Sequence, residues 1–327
     1  MPDLPNQIHS MIDELDVKDS SRQCARNDII DYAEWVVEQN GEFPTDDEPE
    51  KHVKFVNSYL KAQKKQGYAR QTIASRWTWI TRFYKEISMN LLNDYAFLSE
   101  NPIEILEDKT GKTRQDYLPE QSEESQRKQN YYVDKDDLEV LCDNVPSPAF
   151  RNETLLRLAW TTGLRSSEIV NLKVENVNVD QNLLEEFWVP KTAESRSLWI
   201  PDTTAWFLEQ YFDAGYRKSF SYAGESEHLF LTNAGPKMSD NFPTKIVDEA
   251  AANAGIQEVL GTDKSGHERT KVTMHALRRG HGMHLWKEGE SLSTIQKRLG
   301  HSRPSQTDDY LPIDVEESKE KLSDVTF

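Results

Sequence analysis

Cysteine is scarce in this chain, and long apolar runs are missing. The two cysteines, Cys24 and Cys142, lie far apart and lack the close spacing of zinc-binding or redox-active pairs, which indicates a reducing compartment. No apolar run approaches the roughly 20 residues that cross a bilayer, and no basic segment followed by an apolar one opens the sequence. We therefore expect a cytoplasmic protein that does not contact a membrane.

Positive charge is also in short supply, but it is concentrated in two tracts. The formal net charge is −17, which argues against a nucleic-acid partner if the charge is averaged over the whole chain. Residues 1–50 hold 14 acidic and three basic residues, whereas residues 51–86 hold nine Lys or Arg and one acid. Residues 264–303 hold nine basic and three acidic residues. Two basic tracts in an acidic protein indicate local phosphate binding, although either tract alone could be a solvated helix face.

The length of 327 residues favours two domains, and the sequence pattern suggests where they meet. Apolar residues recur at helical spacing over about 19–40, 51–67 and 71–87. We predict a helical first domain over residues 1–106, with a core of about 19–105. Residues 107–130 are polar apart from Tyr117 and Leu118 and are predicted to form a flexible linker.

The second domain, residues 131–327 with a short C-terminal tail, is predicted to be mainly helical with a small antiparallel sheet. Its strands, 183–189 and 196–200, flank a turn at 190–195. Asp134 is a suitable N-cap and Gly163 a suitable left-handed C-cap. The predicted helices span about 135–143, 150–162, 203–215, 243–254, 273–288 and 291–299.

Two pairs of polar residues lie three positions apart at predicted helix ends. Arg165 and Glu168 follow Gly163 and can point the same way, so that the carboxylate fixes the orientation of a neighbouring cation. His275 and Arg278 share a helix face, where an imidazole beside a guanidinium is unfavourable unless an anion lies between them. A guanidinium offers a planar fork that matches two phosphate oxygens. These pairs indicate a phosphate site, although Arg165 and Glu168 alone could form a surface salt bridge.

Three more residues complete the candidate set. His301 follows Gly300, and Tyr310 comes nine residues after His301. Tyrosine has an intrinsic pKa of about 10, so as a nucleophile it requires nearby cations or a base that favours the phenolate. Lys191 lies in the predicted turn and could protonate a leaving oxygen once neighbouring cations lower its pKa, although a turn lysine is more often merely solvated.

His281 and His284 raise the alternative of a metal site, because a pair of histidines on a helix can bind zinc. No cysteine lies nearby. We therefore predict that the site holds no metal and that these two histidines are structural.

Four segments taken together resemble the signature of the tyrosine recombinases, the phage integrase family. These segments are Thr162–Glu168, His275–Arg278, Leu299–Ser302 and Tyr310. The resemblance covers about residues 131–315, with a looser likeness over about 19–105 to the helical core-binding domain of that family. It implies a mainly α fold with a small antiparallel β-sheet in the C-terminal domain, in a two-domain tyrosine-recombinase-like architecture.

The resemblance also implies roles for the polar residues of the site. Arg165 and Arg278 would hold the scissile phosphate of DNA. His275 and His301 would donate hydrogen bonds and move protons, and Glu168 would orient the site.

Cleavage itself would depend on two further residues. Tyr310 would attack the phosphate to give a 3′-phosphotyrosine, while Lys191 would protonate the leaving 5′-hydroxyl. The energy of the broken bond would be kept in that ester, so the resemblance implies a reaction without metal, ATP or cofactor.

The function expected from these residues is site-specific DNA recombination, for integration or excision of a virus or mobile element. The expected partners are double-stranded DNA at specific recombination sites and further copies of the chain, assembled on DNA as a tetramer through the C-terminal tail. DNA-bending or directionality proteins could assist. A type IB topoisomerase, a telomere resolvase and a catalytically inactive DNA-binding regulator stay open as alternatives.

The basic tract of the first domain is the expected surface for DNA phosphates and the groove. The candidate DNA-binding residues are Lys51, Lys54, Lys61, Lys64, Lys65, Arg70, Arg76 and Arg82.

Overall fold

The computed structural model describes residues 4, 6–17, 19–88, 96–120, 131–262 and 268–300. These residues form two compact units, one comprising the described residues up to 120 and the other those from 131. No helix in the described part of the chain is both long enough and apolar enough to cross a membrane.

The first unit is helical throughout its described residues. Its helices are α1 (Asn6–Glu14), α2 (Asp19–Asn40), α3 (Pro49–Lys65), α4 (Arg70–Ser88), α5 (Pro102–Thr110) and α6 (Arg114–Tyr117). Helix α2 packs against α4, and α3 packs against both α4 and α5. The contacts follow from apolar residues at helical spacing, since Ile29, Val36, Val56, Leu60 and Ile80 are fully buried between these helices.

The prediction of a flexible linker over 107–130 is wrong for residues 107–120, which contain the end of α5 and all of α6. Helix α5 continues to Thr110 and ends at Gly111, which adopts a left-handed conformation with φ 65°. Tyr117 and Leu118 are buried in the core of the first unit, and the Tyr117 hydroxyl donates a hydrogen bond to Asn57 Oδ1 at 2.9 Å. Burial of two apolar residues, together with hydrogen bonds from Arg70 to Pro119 O and Gln115, therefore holds an otherwise polar segment. Residues 121–130 lie outside the described residues, and the domain boundaries stay predictions.

The second unit is mainly helical with two small antiparallel sheets. Its helices are α7 (Lys135–Asp143), α8 (Ala149–Thr162), α9 (Ser166–Asn171), α10 (Asp202–Asp213), α11 (Phe242–Asn253), α12 (Met274–Lys287) and α13 (Leu292–Leu299), with 3₁₀ turns at Val174–Asn176 and Arg217–Ser219. Its strands are β1 (Val177–Asn178), β2 (Leu183–Val189), β3 (Glu194–Trp199), β4 (Val259–Thr262) and β5 (Glu268–Thr270). The strands pair in the order β1–β2–β3 and β4–β5.

Helix α8 is the central element of this unit, because it contacts α7, α10, α11 and α12. It ends at Gly163, whose φ of 66° is left-handed. A Cβ at this position would lie 2.6 Å from Leu299 Cδ2 and 2.9 Å from His281 Cδ2. Glycine is thus required both by the backbone conformation and by the close approach of α12 and α13 to the end of α8.

Strands β2 and β3 form a hairpin whose turn spans 190–193. Val189 pairs with Glu194, Trp188 with Ser195 and Phe187 with Arg196, and the register shifts between Leu184 and Phe187. Partnered side chains point to the same face, so the face that carries Phe187 and Val189 is turned to the core.

The fold class predicted from the sequence, mainly α with a small antiparallel sheet, is confirmed. Helices predicted at 19–40 and 135–143 have the predicted ends, and Asp134 and Gly163 cap their helices as predicted. The sequence prediction missed α1, α5 and α6 and the strands β1, β4 and β5, which are mostly short elements.

Candidate active site

Arg165 and Glu168 form the first part of the site, at the start of α9. Arg165 directly precedes the helix, and its backbone N–H donates to Glu168 Oε2 at 2.9 Å. Its Nη1 donates to Glu168 Oε1 at 2.7 Å, and the carboxylate is only 1% exposed. A buried carboxylate that contacts both the backbone and the side chain of Arg165 leaves the guanidinium little freedom to turn.

Arg278 is fixed even more tightly, by carbonyl groups at the ends of two other helices. Its Nη1 donates to Gly163 O at 2.7 Å and its Nη2 to Leu299 O at 2.5 Å. The residue is 1% exposed. The side chain therefore joins α12 to the ends of α8 and α13. The same guanidinium holds these helices together and carries a positive charge.

Arg165, His275 and Arg278 line a single open cleft of about 400 Å³. Its lining residues are Arg165, Ser166, Ser167, Asp240, Asn241, Thr244, Thr273, Met274, His275 and Arg278. Helices α11 and α12 both begin at this cleft, and helix N-termini carry partial positive charge. Among the residues that the structure describes, the exposed Asp240 carboxylate is the one acidic side chain that lines it. Charge and shape suit an anion with several oxygens, such as a phosphate.

The hairpin turn brings Lys191 toward the same charges. The Lys191 side chain is exposed, yet partial burial together with Arg165 and Arg278 lowers the pKa of its ammonium group. Glu168 acts in the opposite direction. A lysine whose pKa is lowered gives up its proton more readily, which is what protonation of a leaving oxygen requires.

Three arginines hold the C-terminal end of α13, and one of them was missed by the sequence prediction. Arg196 Nη1 donates to Arg298 O at 2.9 Å, Arg278 Nη2 to Leu299 O and Arg165 Nη2 to Gly300 O at 3.3 Å. Successive carbonyls thus accept from different guanidinium groups, which also complements the negative end of the helix. Arg196 shares the inward face of β3 with Leu198. The sequence did contain a signal for this role, because Arg196 lies on the same face of the predicted strand as the apolar Leu198.

The two histidines considered for metal binding have other contacts. His281 is buried, and its Nε2 accepts a hydrogen bond from Arg298 Nε at 2.9 Å. Burial and then the charge of Arg298 lower the pKa of His281 well below its usual range, so the ring is neutral. The His284 ring packs against Trp160 with a centroid distance of 5.1 Å. Both side chains have structural contacts that do not involve a metal.

Two of the predicted site residues, His301 and Tyr310, lie outside the described residues. The described chain stops at Gly300, directly before His301.

In the first unit, Arg76 is not available on the surface as the sequence prediction required. Its side chain is 10% exposed and pairs with Asp31 at 3.1 Å and Asp28 at 3.8 Å. It also donates to Gln63 and lies over the Tyr68 ring, 4.4 Å from the centroid. Arg76 therefore joins α4 to α2, where Asp28 and Asp31 compensate its charge.

The other seven candidates for DNA binding differ in how far they are exposed. Lys54, Lys61, Lys64 and Lys65 are exposed on α3. The remaining three, Lys51, Arg70 and Arg82, are half-buried. Each of these three has a partner within the first unit. Lys51 pairs with Glu48, Arg70 donates to Pro119 O and Gln115, and Arg82 donates to Asp16 O.

Comparison with known sequences identifies the family. The sequence profile described as "Phage integrase family" matches residues 131–317, more than half of the chain. The protein belongs to the phage integrase family.

Several relatives within this family are tyrosine recombinases. XerC of Roseiflexus castenholzii is 30% identical over 175 residues, which are 53% of this chain and 51% of that protein. XerC of Halalkalibacterium halodurans is 25% identical over 277 residues, covering 83% of this chain and 79% of that protein. XerD of Staphylococcus aureus is 29% identical over 164 residues, half of each chain. The chain thus spans about half the length of the first and third of these relatives.

Solved structures of integrases share the fold of this family member. The Tn1549 transposon integrase in complex with transposon right end DNA has a TM-score of 0.67 at 15% identity, covering 97% of this chain and 98% of that one. A lambda integrase dimer bound to a COC′ core site has a TM-score of 0.64 at 13% identity, covering 93% of each chain. The two-domain tyrosine-recombinase fold inferred from the sequence is confirmed.

Proposed function

We propose that this protein is a site-specific DNA recombinase that cuts and rejoins strands through a 3′-phosphotyrosine. The observation that carries the proposal is the convergence of Arg165, His275 and Arg278 on one cleft, with Lys191 close enough for both arginines to lower its pKa. Relatives that are named tyrosine recombinases support the reaction class.

Binding of the scissile phosphate falls to the arginine pair. Arg165 and Arg278 are held by carboxylate and carbonyl groups before any ligand arrives, so little side-chain entropy is lost when a phosphate enters the cleft. Guanidinium groups fixed in this way also stabilise the negative charge that develops on the phosphate oxygens during attack. His275, exposed at the start of α12, donates a further hydrogen bond in this proposal.

The chemical step is an in-line exchange at phosphorus. Tyr310 Oη forms a bond to phosphorus, the bond from phosphorus to the 5′ oxygen breaks, and Lys191 gives its proton to that oxygen. The tyrosine proton passes to a base, for which His275 and His301 are the candidates. The phosphodiester is replaced by a phosphotyrosyl ester of similar energy, so the proposed reaction requires neither metal nor ATP.

The proposed partners are DNA and other copies of the chain. The lysines on α3 would contact backbone phosphates, and a tetramer would assemble on DNA through the C-terminal tail. We propose that it acts in the cytoplasm on a virus or mobile element, and that DNA-bending or directionality proteins could assist.

The test is a covalent trapping assay on a nicked duplex that carries the DNA flanking the gene. The wild-type protein should form a protein–DNA adduct in the presence of EDTA, and Tyr310→Phe should bind the same duplex without forming one. Adducts that persist in Tyr310→Phe would show that another residue is the nucleophile. Loss of adduct formation in EDTA would indicate that the reaction requires a metal ion. The absence of wild-type adducts on any duplex favours a catalytically inactive regulator.

The same assay separates the recombinase from a type IB topoisomerase. A recombinase should form adducts only on duplexes that contain its site. Relaxation of supercoiled plasmids that lack any such site would favour the topoisomerase.

A further inference from the structure

We propose that Arg196 is a positioning residue that fixes the hairpin carrying Lys191 against the rest of the active site. The inference rests on the proposed function and assigns a role to a residue outside the set identified from the sequence. It follows from the contacts of one guanidinium with three elements of the second unit.

The Arg196 side chain joins β3 to α9 and to α13. Its Nη2 lies 3.3 Å from Glu168 Oε2, and its Nη1 donates to Arg298 O at 2.9 Å. On the hairpin itself, the guanidinium lies over the ring of Phe187, its partner on β2, at 5.2 Å from the centroid. The side chain is 17% exposed, so these contacts are made in a partly desolvated setting where charge interactions are strong.

The backbone of α13 is shaped to admit this side chain. Gly300 has a φ of 63°, and a Cβ there would lie 2.9 Å from Arg196 Nη1. A larger residue would both strain the backbone and displace the guanidinium. Glycine at this position thus keeps the space that Arg196 occupies.

The tip of the hairpin has little packing of its own. Of residues 188–195, only Val189 is buried. An open cavity of about 500 Å³ lies between the tip and the end of α13, lined by Thr192, Arg196 and Gly300 among others. Arg196 belongs to the third residue pair from the turn, and its side chain connects the hairpin to the end of α13. The distance from Lys191 to Arg165 and Arg278 therefore depends on Arg196.

If Arg196 acts through Lys191, its loss should affect only the step that Lys191 performs. That step is proton donation to the 5′ oxygen as the bond from phosphorus to oxygen breaks. A 5′-bridging sulfur in place of that oxygen leaves as a thiolate, which needs no proton because thiols are far more acidic than alcohols. Sulfur substitution should therefore restore cleavage in variants that lack the proton donor or misplace it.

The experiment measures adduct formation on two nicked duplexes from the DNA flanking the gene, identical except for a 5′-bridging oxygen or sulfur. Arg196→Gln should slow adduct formation on the oxygen duplex on the order of 100-fold and react at nearly the wild-type rate on the sulfur duplex. Lys191→Met lacks the proton donor itself and is the reference, because it should be slow on the oxygen duplex and restored on the sulfur duplex. Arg196→Lys keeps the charge but cannot make both contacts, so it should show a smaller loss that sulfur also relieves.

The matched control is Arg217→Gln. Arg217 is a buried arginine that likewise donates to carbonyls, those of Ala223, Ser226 and His228, and none of these three residues belongs to the hairpin, to α9 or to α13. Its loss should leave the ratio of the oxygen and sulfur rates unchanged even if the protein becomes less stable.

The outcomes separate this inference from the proposed function. The role of Arg196 is overturned if Arg196→Gln and Arg196→Lys are slowed as much on the sulfur duplex as on the oxygen duplex, or if neither variant is slowed on either duplex. Wild-type adducts would uphold the recombinase in both cases. Absence of adducts with the wild-type protein on both duplexes overturns the function and this inference together.

Discussion

Glu168 is buried beside two arginines, Arg165 and Arg196, and both guanidinium groups contact its carboxylate. At the scale of single residues, this carboxylate is the counter-charge that allows two cations to lie close together in a partly buried site. Removing one partner of such a group leaves uncompensated charge, which costs more than the pair itself contributes.

Glu168→Gln should therefore lower the free energy of unfolding by about 3 kcal/mol, because Arg165 and Arg196 would face each other without a carboxylate between them. Chemical denaturation followed by circular dichroism measures this change. The control is Glu139→Gln, which removes an ion pair to Arg157 from a carboxylate that is 49% exposed, and should cost less than about 1 kcal/mol. Equal losses in the two variants would contradict the role given to Glu168.

Residue types and spacing allowed most of the described site to be predicted, because Arg165, Glu168, His275 and Arg278 occur close together in sequence and at helix ends. Arg196 was not predicted, since its partners lie 28 and 102 residues away and only the paired strands bring it to them. Arg76 is buried although the sequence prediction placed it on the DNA-binding surface, because a count of basic residues cannot tell which of them pair with acids on another helix.

At the scale of elements, α3 has two different faces. One face buries Val56, Tyr59 and Leu60, while Lys54, Lys61 and Lys65 are exposed on another. Their spacings of seven and four residues place them along one stripe of the helix. Such a stripe can follow a line of backbone phosphates.

Replacing Lys54, Lys61 and Lys65 together by alanine should weaken binding to all DNA sequences and make it less sensitive to salt. The slope of log affinity against log salt should become shallower by about 3, since each phosphate contact contributes about 0.9. Fluorescence anisotropy over a salt series measures the slope. Lys109→Ala removes an exposed lysine of the same unit that is paired with Glu50, and its slope should stay at the wild-type value. An unchanged slope in the triple variant would exclude this face from the interface.

Helices α3 and α4 also bury a polar contact that makes the first unit sensitive to acid. His52 is fully buried, and its Nδ1 lies 3.1 Å from the Tyr84 hydroxyl. Burial, and to a smaller extent Lys51, lowers the pKa of His52 to about 4. The folded unit therefore disfavours the charged ring, whereas the unfolded chain accepts the proton at an ordinary pKa of about 6.5.

The stability contributed by neutral His52 is complete above about pH 6.5 and is lost as the pH falls toward 4, by about 3 kcal/mol in total. Denaturation curves of the wild-type protein at a series of pH values measure this loss. His52→Gln cannot titrate in that range, so the difference between the two proteins should shrink as the pH falls. A constant difference from pH 7 to pH 4 would show that His52 does not titrate with folding.

At the scale of the whole molecule, the charge distribution is compatible with the proposed binding of DNA by an acidic protein. The net charge of −17 comes with an acidic segment over residues 1–50, while the basic groups are placed in the cleft and along α3. Acidic surface elsewhere weakens contact with DNA that does not reach these two surfaces. Composition alone could not give this arrangement, because it depends on which basic side chains remain exposed after folding.

The sequence predicted the architecture at this scale better than it predicted element ends or connections. Amphipathic helices and the hairpin were predictable from local periodicity. The segment over 107–120 is instead held by burial of Tyr117 and Leu118 in the core of the first unit and by hydrogen bonds from Arg70. Local pattern cannot report a contact of that kind.

The most direct test of the proposed mechanism is to identify the amino acid that becomes attached to DNA. The trapped adduct is digested with protease and nuclease, and the modified peptide is sequenced by mass spectrometry. The proposed mechanism predicts a single modified residue, Tyr310, esterified to a 3′-phosphate. A modification on any other residue, or a 5′-linked phosphate, would contradict it.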